Sequence, residues 1–344
     1  MNKKKFIILL ISLLLIIAGV LVFNTYNKIY KPSTIKQGFV YIPSKATLSI
    51  VEAEMRPFLK RVKPFLWVAK RKKYQHAIKP GRYEILKDMS NNDVVNLLRS
   101  GEQTPLIISF NNQHTIEKLA GRISQQIEAD SIQILKSFTD QTFLTKNKFT
   151  SLSILGMFIP NSYEVYWNTK PEKFRDRMLK EYKRFWNNDR MTKASKLGYT
   201  KNQIMTLASI VQKETAKTSE RPIVAGLYLN RLKRGWPLQA DPTIIFALKQ
   251  KHGQDFSVKR VLRRDLTISS PYNTYKNKGL PPTPIAMPDI SSIDAVLNST
   301  KHSYLYMCAS VDKIGYHAFA KTLSQHNRNA AKYHRWINNQ GIRR

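Results

Sequence analysis

"LASIVQKETAK", residues 207–217, is the stretch on which the reading of this chain turns. A 3.6-residue period places Leu207, Ile210, Val211 and Glu214 on or near one face, because they are spaced by three, four and seven. Three of these side chains suit a core, and the fourth is a carboxylate. Two readings follow. Either the face runs out into solvent, where Glu214 pairs with Lys213 or Lys217, or a pocket holds Glu214. The helix dipole disfavours an acid near a C-terminus, so the position calls for a reason.

The helix begins at Thr200, which with Gln203 is spaced as a capping box. A second helix follows in "SERPIVAGLYLNRLKRG" (219–235), with Ser219 as cap, Pro222 in the first turn and Gly235 as stop. Upstream, "KPEKFRDRMLKEYKRFW" (170–186) reads as a charged amphipathic helix, and "LGMFIPNSYEVYW" (155–167) is rich in aromatics and poor in helix signals. "TPLIISF" (104–110) reads as a strand and "HTIEKLAGRISQQI" (114–127) as a helix.

Nearer the N-terminus, "KPGRYEILKDMSNNDVVNLLRSGE" (79–102) gives a strand opened by Gly81, a helix capped by Ser90 that buries Val94, Val95, Leu97 and Leu98, and a stop at Gly101. That local grammar resembles a small glycan-binding module of the LysM type. The stretch 60–79 holds eight Lys or Arg and no acid. It reads as a solvated face, or as a contact with anionic headgroups or wall polymer, anchored by Phe65 and Trp67.

The N-terminus has Lys3, Lys4 and Lys5, then 18 uncharged residues from Phe6 to Phe23. That length covers a bilayer core of ~30 Å and exceeds the ~7–15 residues of a cleavable signal. An uncleaved anchor with the bulk of the chain outside the cytoplasm is expected from the flanking lysines. The net charge of +34 calls for an anionic partner. An external location turns that partner from nucleic acid toward lipid headgroups and cell-wall polymer. The single cysteine, Cys308, excludes an internal disulfide.

Three polar and aromatic clusters stand in the C-terminal half: "LQADPTI" (238–244), "SPYNTYKNKGLPPTP" (270–284) and "YHAFAKTLSQHN" (316–327). There is no metal-ligand spacing, no phosphate loop and no nucleophile elbow, so neither metal nor cofactor is expected. Carboxylates, amides, hydroxyls and aromatic rings remain, which are the groups that sugar chemistry uses. Glycosidic cleavage needs a proton donor for the leaving oxygen, and burial against apolar neighbours lets a carboxyl keep its proton near neutral pH.

The region "ASIVQKETAKTSERPIVAGLYLNRLKRGWPLQADPTIIFAL" (208–248) resembles the signature of the YceG-like endolytic murein transglycosylases. "SPYNTYKNKGLPPTPIAMP" (270–288) and "HAFAKTLSQHN" (317–327) resemble that family's later motifs in the same order. The resemblance implies that Glu214 is the catalytic acid and base. It would protonate the oxygen between N-acetylmuramic acid and N-acetylglucosamine, then take the proton of the muramyl 6-hydroxyl, leaving a 1,6-anhydromuramyl end. Substrate contacts are expected from Gln239, Asp241, Tyr272, Asn273, Thr274, Tyr275, His317, Phe319, His326 and Asn327, with Glu220 supporting them from behind. The alternatives are a non-catalytic wall-binding protein and a muramidase-type hydrolase of the same bond. Family members commonly carry acids where Leu155, Asn161 and Gln212 stand here, which leaves Glu214 more isolated.

The expected fold is α+β. It has a cytoplasmic stub (1–5), a transmembrane anchor (6–23), a linker (24–36), a LysM-like module (37–103), a connecting strand and helices (104–154), and a catalytic domain (155–344). The expected location is the plasma membrane, single-pass, with the C-terminal domain periplasmic. Expected partners are peptidoglycan glycan strands, the membrane through the N-terminal helix, and peptidoglycan synthases, with no nucleic acid.

Overall fold

The computed structural model describes residues 3–340 and is mixed α+β. In chain order the elements are α1 (Lys3–Tyr30), β1 (Gly38–Ile42), α2 (Leu48–Met55), α3 (Val62–Arg71), β2 (Gly81–Ile85), α4 (Asn91–Ser100), β3 (Leu106–Phe110), α5 (Ile116–Ser124), α6 (Ser131–Phe138) and α7 (Gln141–Lys146). They continue with β4 (Asn161–Val165), α8 (Pro171–Phe185), α9 (Asn188–Leu197), α10 (Lys201–Glu214), α11 (Arg221–Lys233), α12 (Asp241–His252), α13 (Ile290–Leu297), β5 (Tyr306–Ala309), β6 (His317–Ala320) and α14 (Leu323–Asn339). The strands pair as β1–β2, β3–β4 and β5–β6. The chain divides into two compact units. The first contains the chain through Ile108, with 124–130 and 163–170; the second contains 109–123, 131–162 and the chain from Pro171.

In the first unit, β1 and β2 are antiparallel, from Gly38 opposite Ile85 to Ile42 opposite Gly81. Period-2 alternation turns Val40, Ile42, Tyr83 and Ile85 inward. There they meet Val51 and Met55 of α2, Phe65 and Val68 of α3, and Val94, Val95 and Leu98 of α4. Ser90 and Asp93 form a reciprocal capping box, and Gly101 closes α4 at φ 77°. Phe65 is fully buried in this core, so the apolar-anchor role read for it fails. Trp67 is only partly buried and carries the Lys28 ammonium 5.5 Å and the Arg71 guanidinium 5.2 Å from its ring.

Helix α1 is long and apolar enough to cross a membrane. It runs on to Tyr30, into the stretch read as a linker. Its last turn is held: Asn91 Nδ2 donates to the Lys28 carbonyl at 2.8 Å, and Ile29 packs on the core. Ser33 and Thr34 are buried and donate their amides to the Met89 carbonyl. Residues 24–30 are therefore helix, and Ser33 to Ile35 are pinned backbone, because their amides bond to the Met89 and Phe58 carbonyls.

In the second unit, α10 has the capping box of Thr200 and Gln203. Every residue from Ile204 to Gln212 is buried, so the helix is enclosed on all sides rather than along one stripe. It packs against α11, α12 and α13. The cap of α11 differs from expectation. Thr218–Glu220 form a short 3₁₀ turn and Glu220 occupies the cap position, while the Ser219 hydroxyl lies 3.4 Å from that of Tyr316. Gln212 ties α10 to the segment before α13. It donates to the Met287 carbonyl and accepts from the Asp289 amide and Ser292 hydroxyl. An ionised carboxylate has no proton for Met287, so the amide fits this position.

Candidate functional site

Helix α10 ends at Glu214, and that termination positions the side chain. Thr215 leaves the helix in extended conformation, and its amide still bonds to the Val211 carbonyl. The carboxyl thus stands at the edge of a dense helical packing and keeps partial solvent access. Burial pushes its pKa up. The nearby His317, the Tyr228 hydrogen bond and Arg231 pull it down, and Asp241 raises it further; the net direction is upward. Glu214 therefore holds its proton to higher pH than an exposed glutamate.

Tyr228, on α11, donates its hydroxyl to Glu214 Oε2 at 3.0 Å. Burial and the adjacent carboxyl push the Tyr228 pKa well up, so it stays a donor. Arg231 follows one turn later. It donates to the carbonyls of Leu305, Pro237 and Leu238 and to Gln239 Oε1, at 2.7 to 3.2 Å. It therefore shapes the wall rather than offering a free fork. Gln239 is held at φ 52°, a left-handed conformation that costs of order 1–3 kcal/mol for a non-glycine residue. Its amide donates to the Thr274 carbonyl and its side chain meets Arg231, and those contacts fix it.

Glu214, Gln239, Asp241, Tyr275 and His326 line one cavity of about 380 Å³ together with Tyr228. Asp241 accepts from the Tyr275 hydroxyl at 2.5 Å. Burial first, then this bond, pushes the Tyr275 pKa up. His326 stacks on Tyr306 with ring centroids 5.5 Å apart, and burial, with Arg231 nearby, lowers its pKa. His317 lines a second cavity of about 360 Å³ that also reaches Glu214. Buried Glu220 clamps it, accepting from the His317 backbone amide at 2.6 Å and meeting ring Nδ1 at 2.8 Å. Glu220 thus touches His317 and lines neither of the two cavities that reach Glu214.

Other residues named from the sequence lie elsewhere. Tyr272 is buried, its hydroxyl 2.7 Å from that of Thr283 and its ring against Phe246. Asn273 is fully buried. It donates to the Leu266 and Ile268 carbonyls and accepts from the amides of Tyr275 and Lys276. Thr274 accepts from the Ala240 amide and meets the Thr243 hydroxyl. The polar atoms of these three residues are engaged within the protein, and of this stretch Tyr275 lines the Glu214 cavity. Phe319 stacks on Tyr304 with centroids 5.5 Å apart. Asn327 is exposed on α14 and lines neither cavity.

Tyr228 and Arg231 were missed by the sequence reading. Both lie on α11 three residues apart, so their shared face was available. What lay out of reach was that α11 turns this face onto the end of α10.

A family model described as the YceG-like family matches residues 40–332. The chain is 31% identical over 297 residues to an endolytic murein transglycosylase of Streptococcus pneumoniae, covering 78% of this chain and 53% of that one. It is 29% identical over 314 residues to an endolytic murein transglycosylase of Bacillus subtilis, covering 86% of this chain and 84% of that one. The chain thus spans about half the length of the pneumococcal relative. A crystal structure of a YceG-like protein from Listeria monocytogenes aligns with a TM-score of 0.56 at 25% identity, covering 85% of this chain and 98% of that one.

Proposed function

The chain belongs to the YceG-like family, and we propose that it is a membrane-anchored endolytic transglycosylase that cleaves the MurNAc–GlcNAc bond within nascent peptidoglycan strands and terminates their elongation. The observation that carries this reading is Glu214 at the edge of a cavity, its pKa raised by burial and its Oε2 accepting from the Tyr228 phenol. The acid gives its proton to the glycosidic oxygen, and the GlcNAc fragment leaves with that proton. Tyr228 stabilises the carboxylate so formed. The carboxylate then takes the proton of the muramyl 6-hydroxyl as its oxygen bonds to the anomeric carbon, which regenerates the acid without consuming water. Gln239, Asp241, Tyr275 and His326 line the space in which the sugars would lie.

Asp241 favours a second reading. A second carboxylate in the Glu214 cavity is a group that can activate water, as a muramidase requires. Mass spectrometry of fragments released from purified peptidoglycan separates the two, since the anhydro end is one water lighter than a reducing end. Glu214→Gln removes either activity; unchanged release would leave a non-catalytic wall-binding role.

In this reading α1 anchors the protein, residues 37–103 serve as a LysM-like module holding glycan near the membrane, and residues 155–344 carry the chemistry. Peptidoglycan synthases are the expected neighbours. Protease accessibility in intact spheroplasts tests the outward orientation.

A further inference from the structure

Lys213 and Glu214 are consecutive, yet they line different cavities. Glu214 and Asp241 face the catalytic cavity, while their neighbours Lys213 and Pro242 line another of about 230 Å³. This second cavity is lined by three nitrogen bases, His114, Lys213 and Lys249, and by apolar Ile245, Phe246 and Ile285. Lys213 Nζ lies 3.4 Å from His114 Nε2. Among the described residues, neither Lys213 nor Lys249 has a carboxylate at ion-pair distance. Glu117 lies on the adjoining cavity, not on this one.

The charges are held at a cost. Burial, then Lys249, lowers the Lys213 pKa; burial, then Lys213, Lys249 and Lys118, lowers that of His114. Partly buried cations that repel one another are relieved by an anion between them. The apolar walls ask for an anion on a short aliphatic frame rather than a bare ion. The two cavities are lined by consecutive residues, Lys213 beside Glu214 and Pro242 beside Asp241, so they flank the same two backbone segments.

We propose that the Lys213–Lys249 cavity is a binding site for a carboxylate of the acidic stem peptide carried on the lactyl arm of the muramyl sugar. The inference rests on peptidoglycan being the substrate. It makes recognition two-sided: the sugar at Glu214 and its peptide on the far side of the α10 terminus.

Two measurements test it. In the first, kcat/KM is compared on peptide-bearing and amidase-stripped glycan strands, for the full chain and for Lys249→Met and Lys249→Arg. The preference for peptide-bearing strands falls about tenfold in Lys249→Met, the scale of one lost charge-assisted hydrogen bond, and is restored in Lys249→Arg. An unchanged preference overturns the proposal. In the second, the acetylated tripeptide of L-alanine, γ-linked D-glutamate and L-lysine is titrated against the full chain and followed by NMR. Shifts confined to His114, Phe246 and their neighbours, absent in Lys249→Met, support it. No shifts, or equal shifts with inorganic phosphate, overturn it. This second measurement needs no turnover, so it stands apart from failure of the transglycosylase reading, which would show as no cleavage of either strand.

Discussion

The first unit's core and the packing around α10 solve the burial problem in opposite ways. In the first unit, β1, β2 and helices α2 to α4 close over aliphatic and aromatic side chains, with few polar groups inside. Around α10 the interior holds Thr206, Ser209, Gln212, Glu220, Arg221, Arg231, Thr243, Asn273, Thr274 and Ser292. Buried polar groups cost stability unless paired, and these side chains all find partners, with Arg221 Nε left over. Arg221 donates to Asp289, which caps α13, and Ser209 accepts from the Ile285 amide. The difference teaches which region can orient side chains toward a cavity. An apolar core only has to exclude water, whereas a polar interior fixes the orientation of loops and leaves one carboxyl imperfectly solvated.

The largest expected effect breaks the comparison at its centre. Glu214→Gln lowers turnover of purified peptidoglycan by about 10²- to 10⁴-fold, the scale of general acid–base catalysis, while circular dichroism stays native. Next come paired core substitutions. Arg231→Met strips the donor from three backbone carbonyls and Gln239, so a loss of about 3–5 kcal/mol is expected in urea unfolding, together with lost activity. Leu98→Ala costs about 2–5 kcal/mol as a cavity in the apolar core, yet leaves kcat on a soluble glycan oligomer intact at temperatures where the protein is folded. Equal activity losses in the two would erase the distinction between the regions.

A smaller effect follows from the Tyr228 bond. That bond favours the charged carboxylate, so Tyr228→Phe raises the Glu214 pKa and moves the alkaline limb of the kcat/KM profile to higher pH. A limb that stays in place separates Tyr228 from the acid. The smallest effect is on stability. Because the native pKa of Glu214 is raised, the native state binds more protons than the unfolded one between the two pKa values, and stability falls as pH rises through that window. Glu214→Gln therefore has the higher Tm at pH 7. The gain shrinks as pH falls toward ~4.3, the ordinary glutamate value. A gain independent of pH would show that burial does not hold the proton.

Much of this was legible locally. The Thr200–Gln203 and Ser90 caps, the Gly101 stop and the strands at 81–85 and 106–110 follow from short-range rules, and the structure has them. Glu214 was legible as a misplaced charge among apolar neighbours. The loop 272–275 was not. Four polar and aromatic residues in a row gave no sign that three would bond to other protein groups, Thr274 to Ala240 and Thr243, Tyr272 to Thr283 and Asn273 to Leu266 and Ile268, and that only Tyr275 would reach the cavity. Nor was Tyr228 legible as the partner of Glu214, because a contact across 14 residues depends on how two helices cross.

The sequence by itself determined the family, the apolar helix at the N-terminus, the mixed α+β character and the carboxylate to watch, because each is written in periodicity, capping or ordered motifs. The tertiary structure alone decided which polar residues face a cavity and which build it, and that Lys213 and Glu214 part company into two cavities. The reason is physical: burial and hydrogen bonding are properties of what surrounds a residue, and the chain assembles those surroundings from segments distant in sequence.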